Sequence, residues 1–190
     1  MGILQRILAK IAWLTPEVSE SVVLAAEVVG GELPEGYELC DASESAKVLA
    51  EVPDAEREDA LRQARAADLM HYAVRDGKVA FWQFLQLERT DALGDILPPP
   101  AAGERRVCGF GAFCMPEFRG QGLMTQGRRW MIAWAAAEGY TRIYSKVRTS
   151  NGVSLRAQER AGFRRIGISR STRWRGKTRA QRVRLYEKEA

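Results

Sequence analysis

The chain has 190 residues, 29 Lys and Arg against 24 Asp and Glu, 46% hydrophobic residues, three cysteines and one histidine, a composition that describes one globular domain long enough to bury roughly 70% of its unfolded surface. No run of about 20 apolar residues occurs, so a membrane-spanning helix is excluded, and Arg6 and Lys10 interrupt the apolar N-terminus where a secretory signal would run on. Cys40, Cys108 and Cys114 form no C-x-x-C pair and no disulfide framework, so neither disulfides nor a zinc or other metal site is expected, and a reducing cytosol is the expected compartment.

Ile3, Leu4, Ile7, Leu8, Ile11 and Leu14 recur at helical spacing with Arg6 and Lys10 opposite, so Gly2 to Leu14 reads as an amphipathic helix ended by Thr15-Pro16. A second helix is expected over Val18 to Val29, stopped by Gly30-Gly31. Residues 1–31 then form an N-terminal helical arm ahead of a domain of residues 32–190. The arm is expected to pack on the domain or on a second copy of the chain as a homodimer, with attachment to a membrane surface as the sharper alternative. Tyr37 to Cys40 reads as a strand, and the acidic segment Ala42 to Asp68 holds a helix from about Asp54 to Ala67.

Leu69 to Val74 and Val79 to Leu87 are strands flanking Arg75-Asp76-Gly77-Lys78, whose Asp-Gly pair marks a tight hairpin. After the Pro-rich loop Leu97 to Gly103, a strand runs from about Arg106 to Met115. Its Gly109 and Gly111 indicate a bulge or a close approach to the backbone. Leu123 to Glu138 is a helix with Leu123, Trp130, Met131 and Trp134 on one face and Gly139 as its stop. Ile143 to Val147 is a strand, and Asn151 caps a helix running to about Ala161. Strands near Arg164 to Arg170 and Arg182 to Glu187 are joined by a loop holding Arg175-Gly176-Lys177. The pattern is a mixed α/β layer fold.

Charge is unevenly placed: residues 1–100 carry a net of −9 and residues 101–190 a net of +14, which assigns any anionic ligand to the C-terminal half. Within that half, Met115 to Met124 joins the bulge-prone strand directly to the start of the long helix. Glycines at such a junction let amides turn toward one point, and the helix dipole adds positive potential there, so the segment is an anion cradle.

Arg119, Gly120, Gln121 and Gly122 following Pro116-Glu117-Phe118, with Asn151 eleven residues before Gly162-Phe163, resemble the two signatures of the GNAT superfamily of acyl-CoA-dependent N-acyltransferases. The resemblance covers about Leu69 to Phe163. It implies a mixed, mostly antiparallel sheet flanked by helices, with two central strands splayed apart. It implies transfer of an acetyl group from acetyl-CoA directly to a primary amine, without a covalent cysteine step. Backbone groups of Ala112, Phe113 and Cys114 would hold the pantetheine arm. The amides of Gly120, Gln121, Gly122, Leu123, Met124 and Thr125 would hold the pyrophosphate, and Asn151 would lie beside the pantetheine or serve as a plain helix cap. Arg119 is expected to be a structural bracket.

Two positions depart from the family pattern. Met124 stands where a third small residue is usual, and Gln158 stands where many relatives carry a Tyr that protonates the departing thiolate. Gln cannot act as an acid. A CoA thiolate resembles a cysteine thiolate of pKa about 8.5 and leaves without a proton tolerably well, whereas acid assistance is worth on the order of 10² or more, so a slower or differently assisted enzyme is expected. Tyr144 and Ser154 are the substitute proton donors, and His71 is the candidate base, each weighed against a structural role. Cys114 reads as a packed strand residue. Nine Lys and Arg and no acid lie between Arg164 and Leu185. Contact with CoA phosphates or an anionic acceptor, a solvated strand face, and nucleic-acid binding all stand open for them, the last being least favoured. The alternative to an enzyme is a GNAT-like domain that binds acyl-CoA or nucleic acid without turnover.

Overall fold

The computed structural model describes residues 16–89, 91–93, 97, 99–174 and 177–186. The amphipathic helix expected over Gly2 to Leu14 and the Arg175-Gly176 loop lie outside the described residues. Among those described, eight strands form one sheet: β1 (Glu17–Glu27), β2 (Tyr37–Asp41), β3 (Leu69–Arg75), β4 (Lys78–Leu87), β5 (Arg106–Cys114), β6 (Arg142–Arg148), β7 (Arg164–Trp174) and β8 (Lys177–Leu185). Four helices accompany it: α1 (Ser45–Val48), α2 (Asp54–Ala64), α3 (Leu123–Ala137) and α4 (Gly152–Arg160). The strand order is β2-β3-β4-β5-β6-β1-β7-β8, antiparallel throughout except between β5 and β6. None of the described helices is long and apolar enough to cross a membrane.

The segment Val18 to Val29, expected as a helix, is instead strand β1. Val22 to Ala26 are all buried, and their contacts alternate: Val22, Leu24 and Ala26 join the main core, while Val23 and Ala25 join a smaller cluster with Leu93, Cys108 and Tyr144. That period of two means both faces of the strand are covered, the condition under which a strand reads as an unbroken apolar run. β1 pairs with β6 from Ser21 to Glu27 and with β7 from Glu17 to Ala25, so these residues sit inside the sheet and not in a helical arm.

The β3–β4 hairpin follows the sequence closely. Asp76 and Gly77 both have positive φ, 51° and 74°, the two-residue turn whose twist matches that of the strands it joins. Beside it, α3 packs its Trp130, Met131 and Trp134 into the core. Close approach is set by Gly127, where a Cβ would come within 2.6 Å of Phe81. α3 and α4 lie side by side, with Thr125 Oγ1 donating to the Ala157 carbonyl at 3.4 Å and Arg129 Nη2 to the Arg160 carbonyl at 3.1 Å.

The feature that positions the site is where the parallel ladder stops. β5 and β6 pair only from Arg106 to Gly109 against Arg142 to Ser145. Beyond Gly109, β5 follows β4 alone to Cys114, with a register shift opposite Gln83 and Gly111 at φ +60°, a bulge that turns the strand. β6 meanwhile stays with β1 out to Arg148, and the two strands part.

The buried, doubly covered position of β1 gives a direct test. Leu24→Ala removes a fully buried side chain and is expected to cost about 2–5 kcal/mol in urea unfolding, whereas Val18→Ala at a half-exposed site is expected to stay within about 0.5 kcal/mol. Equal small effects would contradict the strand assignment.

Candidate active site

The parted strands open onto a cleft of about 660 Å³. One wall is the end of β5. Met115 N–H donates to the Ala80 carbonyl at 2.9 Å, so strand alternation points the backbone of Phe113 toward β4 and that of Ala112 and Cys114 toward the side β6 has left. The second wall is the start of α3. Gly120 and Gly122 have φ +80° and +78°, a conformation open to glycine, and no Cβ at Gly120 would meet a neighbour. With Gly122 as its N-cap, the 15-residue helix leaves its first-turn amides without intrahelical partners, pointing at the opening. The third wall is α4, through Asn151, Ser154 and Ala157.

The residues expected from sequence are brought together here. Ala112, Phe113, Cys114, Arg119, Gly120, Gly122, Leu123, Met124, Thr125, Asn151 and Ser154 all line the cleft, while Gln121 is exposed outside it. Phe113 contributes its side chain, stacked on Trp82 with 4.8 Å between centroids, and not its amide. Arg119 acts as a bracket: its Nε donates to the Cys114 carbonyl at 3.1 Å and its guanidinium lies 5.7 Å from the Phe113 ring. Asn151 caps α4 by accepting the Ser154 amide at 3.1 Å. Met124, half-buried, packs its side chain on the core while lining the cleft.

Of the three candidates for proton transfer, only Ser154 lines the cleft. Tyr144 is buried in the smaller cluster, and its hydroxyl donates to Glu104 Oε1 at 2.9 Å. Burial and that carboxylate push the phenol up to about 12. His71 is fully buried between Tyr37 and Trp130, with ring centroids 5.2 and 4.1 Å away, and its Nδ1 meets Gln83 Nε2 at 2.8 Å. Burial, with a further push from the Arg128 charge, pulls it down to about 3, so it is a neutral packing residue at physiological pH. Burial also raises the Cys114 thiol, in keeping with a packed side chain and not a nucleophile.

Two cations that the sequence reading passed over line the cleft, Arg156 and Arg160 of α4. Their i,i+4 spacing behind Asn151 was the available signal. Among the described residues, none of the more conspicuous basic run from Arg164 to Arg184 lines this cleft: Arg165 pairs with Glu159 at 2.7 Å, and Arg170 and Arg182 face each other across β7 and β8 beside a pocket of about 250 Å³.

Residues 32–164 match the family profile described as the acetyltransferase (GNAT) domain. The chain belongs to the GNAT family. A search of curated proteins gives no match. Solved structures share the fold at low identity. A GNAT-family protein from Novosphingobium aromaticivorans aligns with a TM-score of 0.59 at 20% identity, over 82% of this chain and 64% of its own. A GNAT acetyltransferase from Colwellia psychrerythraea aligns at 0.53 and 15%, over 86% and 58%. The glucosamine N-acetyltransferase region of a fungal multi-domain β-N-acetylglucosaminidase aligns at 0.56 and 14%, over 89% and 22%. The chain therefore spans less than two thirds of the length of these GNAT proteins.

The histidine supplies a pH test. Its folded pKa lies below the ordinary 6.5, so the unfolded chain binds the extra proton between about pH 6.5 and 3 and stability falls as pH drops through that window. Urea midpoints are expected to decline between pH 7 and 4 more steeply for the natural protein than for His71→Leu, and parallel declines would contradict a buried neutral imidazole.

Proposed function

We propose that the protein is an N-acyltransferase that moves an acetyl group from acetyl-CoA directly to a primary amine. The observation that carries this reading is the meeting, in one cleft, of an unpaired β-strand edge and a glycine-framed helix N-terminus. The strand edge offers the Ala112 amide and carbonyl and the Cys114 amide to the amides and carbonyls of a pantetheine arm, which would pair there as an additional strand would, the Cys114 carbonyl being held by Arg119. The amides from Gly120 to Thr125 would hold the pyrophosphate, where dipole and unsatisfied donors favour an anion. Arg156 and Arg160 at the rim would meet the remaining phosphate charge.

Transfer then needs an amine held against the thioester near the apex of the opening. Nitrogen attacks the carbonyl carbon, strand amides beside the bulge stabilise the developing oxyanion, the C–S bond breaks with its electrons on sulfur, and the nitrogen's extra proton passes to solvent water. Ser154, which lines the cleft from α4, would be the assisting hydroxyl. The three cysteines are free, which suits the reducing cytosol we propose as its compartment. Gln158 favours one second reading, an acyl-CoA-binding domain without turnover, since no phenol stands where an acid is usual.

Binding and turnover are separable by experiment. Acetyl-CoA at a hundred times its dissociation constant stabilises by about 2.7 kcal/mol, so the thermal midpoint should rise by about 5–11 °C for a domain of this size. Gly122→Val, which forces a β-branched residue into positive φ at the cradle, should remove that shift while leaving the unliganded midpoint within a few degrees. A full shift in folded Gly122→Val would contradict the site. Release of CoA thiol with a panel of primary amines tests turnover; a thermal shift without release would select the binding-only reading.

A further inference from the structure

One helical turn behind residues that line the cleft lie two buried side chains whose polar atoms find no hydrogen-bond partner, Arg128 through two of its nitrogens and Gln158 through both amide atoms; neither lines the cleft itself. Arg128 lies on α3 one turn beyond Met124 and Thr125, and Gln158 lies on α4 one turn beyond Ser154; the three earlier residues line the cleft. Arg128 is 2% exposed, and its Nε and Nη1 are buried without a hydrogen-bond partner. Among the described residues no carboxylate pairs with it. Burial pulls the guanidinium down to about 10, with no charged neighbour holding it up, so it remains a cation at neutral pH. Gln158 is fully buried, and neither its Oε1 nor its Nε2 has a partner.

Arg128 reaches the point where the strands part, and the backbone of Gln158 is tied to the residue whose ring Arg128 faces. Nη1 of Arg128 lies against Gly109, where a Cβ would come within 2.5 Å of it, and Gly109 is the last β5 residue paired with β6. The Arg128 Cζ is 5.9 Å from the Phe163 ring centroid, and Phe163 N–H donates to the Gln158 carbonyl at 3.1 Å. A buried cation with no anion is among the costlier arrangements in a protein interior, and an apolar side chain would fill the place at less cost. Among the described residues, the fold therefore holds a buried positive charge at the fork of the two strands with no anion beside it.

We infer that Arg128, joined by the Gln158 amide from the facing helix, binds the CoA sulfur as a thiolate and stabilises it as the leaving group. This rests on the acyl-CoA reading above. The acceptor nitrogen's lone pair forms the N–C bond, the C–S bond breaks with its electron pair passing to sulfur, and the amine proton goes to solvent water. The guanidinium surrenders no proton; it donates a charge-assisted hydrogen bond to sulfur, and Gln158 Nε2 donates a second. The cofactor's phosphates belong instead at the α3 N-terminus and the exposed Arg156 and Arg160, which line the cleft. Charge stabilisation thus replaces the proton that Gln158 cannot give. His71 on β3 is the ionisable group that feels the Arg128 charge, and it is neutral above about pH 3, clear of the range in which a thiol titrates.

The test is a titration of the thiol of bound CoA by thiolate ultraviolet absorbance, read as a difference against the unliganded protein and compared with free CoA. The bound thiol is expected to titrate about 1–3 units below the free one, a roughly 10- to 1,000-fold gain in thiolate at a given pH. Arg128→Leu should return it to the free value, and Arg128→Lys should keep part of the shift. In the natural protein the affinity for CoA relative to acetyl-CoA should rise with pH up to about 8.5, the free thiol range, and in Arg128→Leu it should stay flat. A bound thiol that titrates like free CoA in the natural protein overturns the inference, whatever the variants do. So does a shift that survives in Arg128→Leu. If succinyl-CoA outbinds acetyl-CoA in the natural protein but not in Arg128→Leu while the thiol is unshifted, the guanidinium reads an acyl carboxylate and the thiolate assignment is wrong. If neither CoA nor acetyl-CoA binds, the acyl-CoA reading itself fails.

Discussion

The site depends on β5 leaving β6 at Gly109 and Ser145. A parallel pair that stays together spends its backbone donors and acceptors on each other; one that parts after four residues exposes them, and an unsatisfied backbone edge beside a core is costly until something pairs with it. Two local causes produce the separation. Gly111, at positive φ, bulges β5 against β4, and β1 holds β6 along seven residues on its other side. With β6 fixed by β1 and β5 fixed by β4, the gap lies between them, and α3 begins at its mouth.

Charge is graded along the resulting cleft. At the mouth, first-turn amides and the exposed Arg156 and Arg160 provide positive potential that water and salt screen. Behind the fork of the strands, against Gly109, Arg128 carries a single charge that burial leaves unscreened. An elongated ligand with a multiply charged head and a small polar tail suits that gradient, and the strand edge between the two ends suits a linker rich in amides. This is the physical content of the acyl-CoA proposal, and it stands on the geometry of this chain. The fold relatives lie at 14–20% identity and speak to architecture.

Much of this was legible in the sequence because local rules and the global fold agree there. Asp76-Gly77 makes the hairpin turn its chemistry demands, Gly120 and Gly122 take positive φ ahead of α3, and Asn151 caps its helix. β1 was misread because Val22 to Ala26 is a short continuous apolar run, a pattern that a strand covered on both faces shares with a buried helix; alanines and flanking glutamates tip such a run toward helix until the partner strands are known. Tyr144 and His71 were plausible proton carriers by residue type, but only tertiary packing shows that one is tied to Glu104 and the other is sealed between aromatic rings. Arg128 was missed although its signal was present: it is a cation three residues before Met131 on the apolar stripe of α3. That position is read as surface unless the stripe is followed residue by residue.

The most direct measurement of the central claim is amide hydrogen exchange, residue by residue, with and without saturating CoA. The account predicts slowed exchange at Ala112, Cys114 and the amides from Gly120 to Thr125, with β7 and β8 unchanged. Protection confined to the basic β7–β8 hairpin, or binding that leaves the β5 edge and the α3 N-terminus exchanging as before, would contradict it.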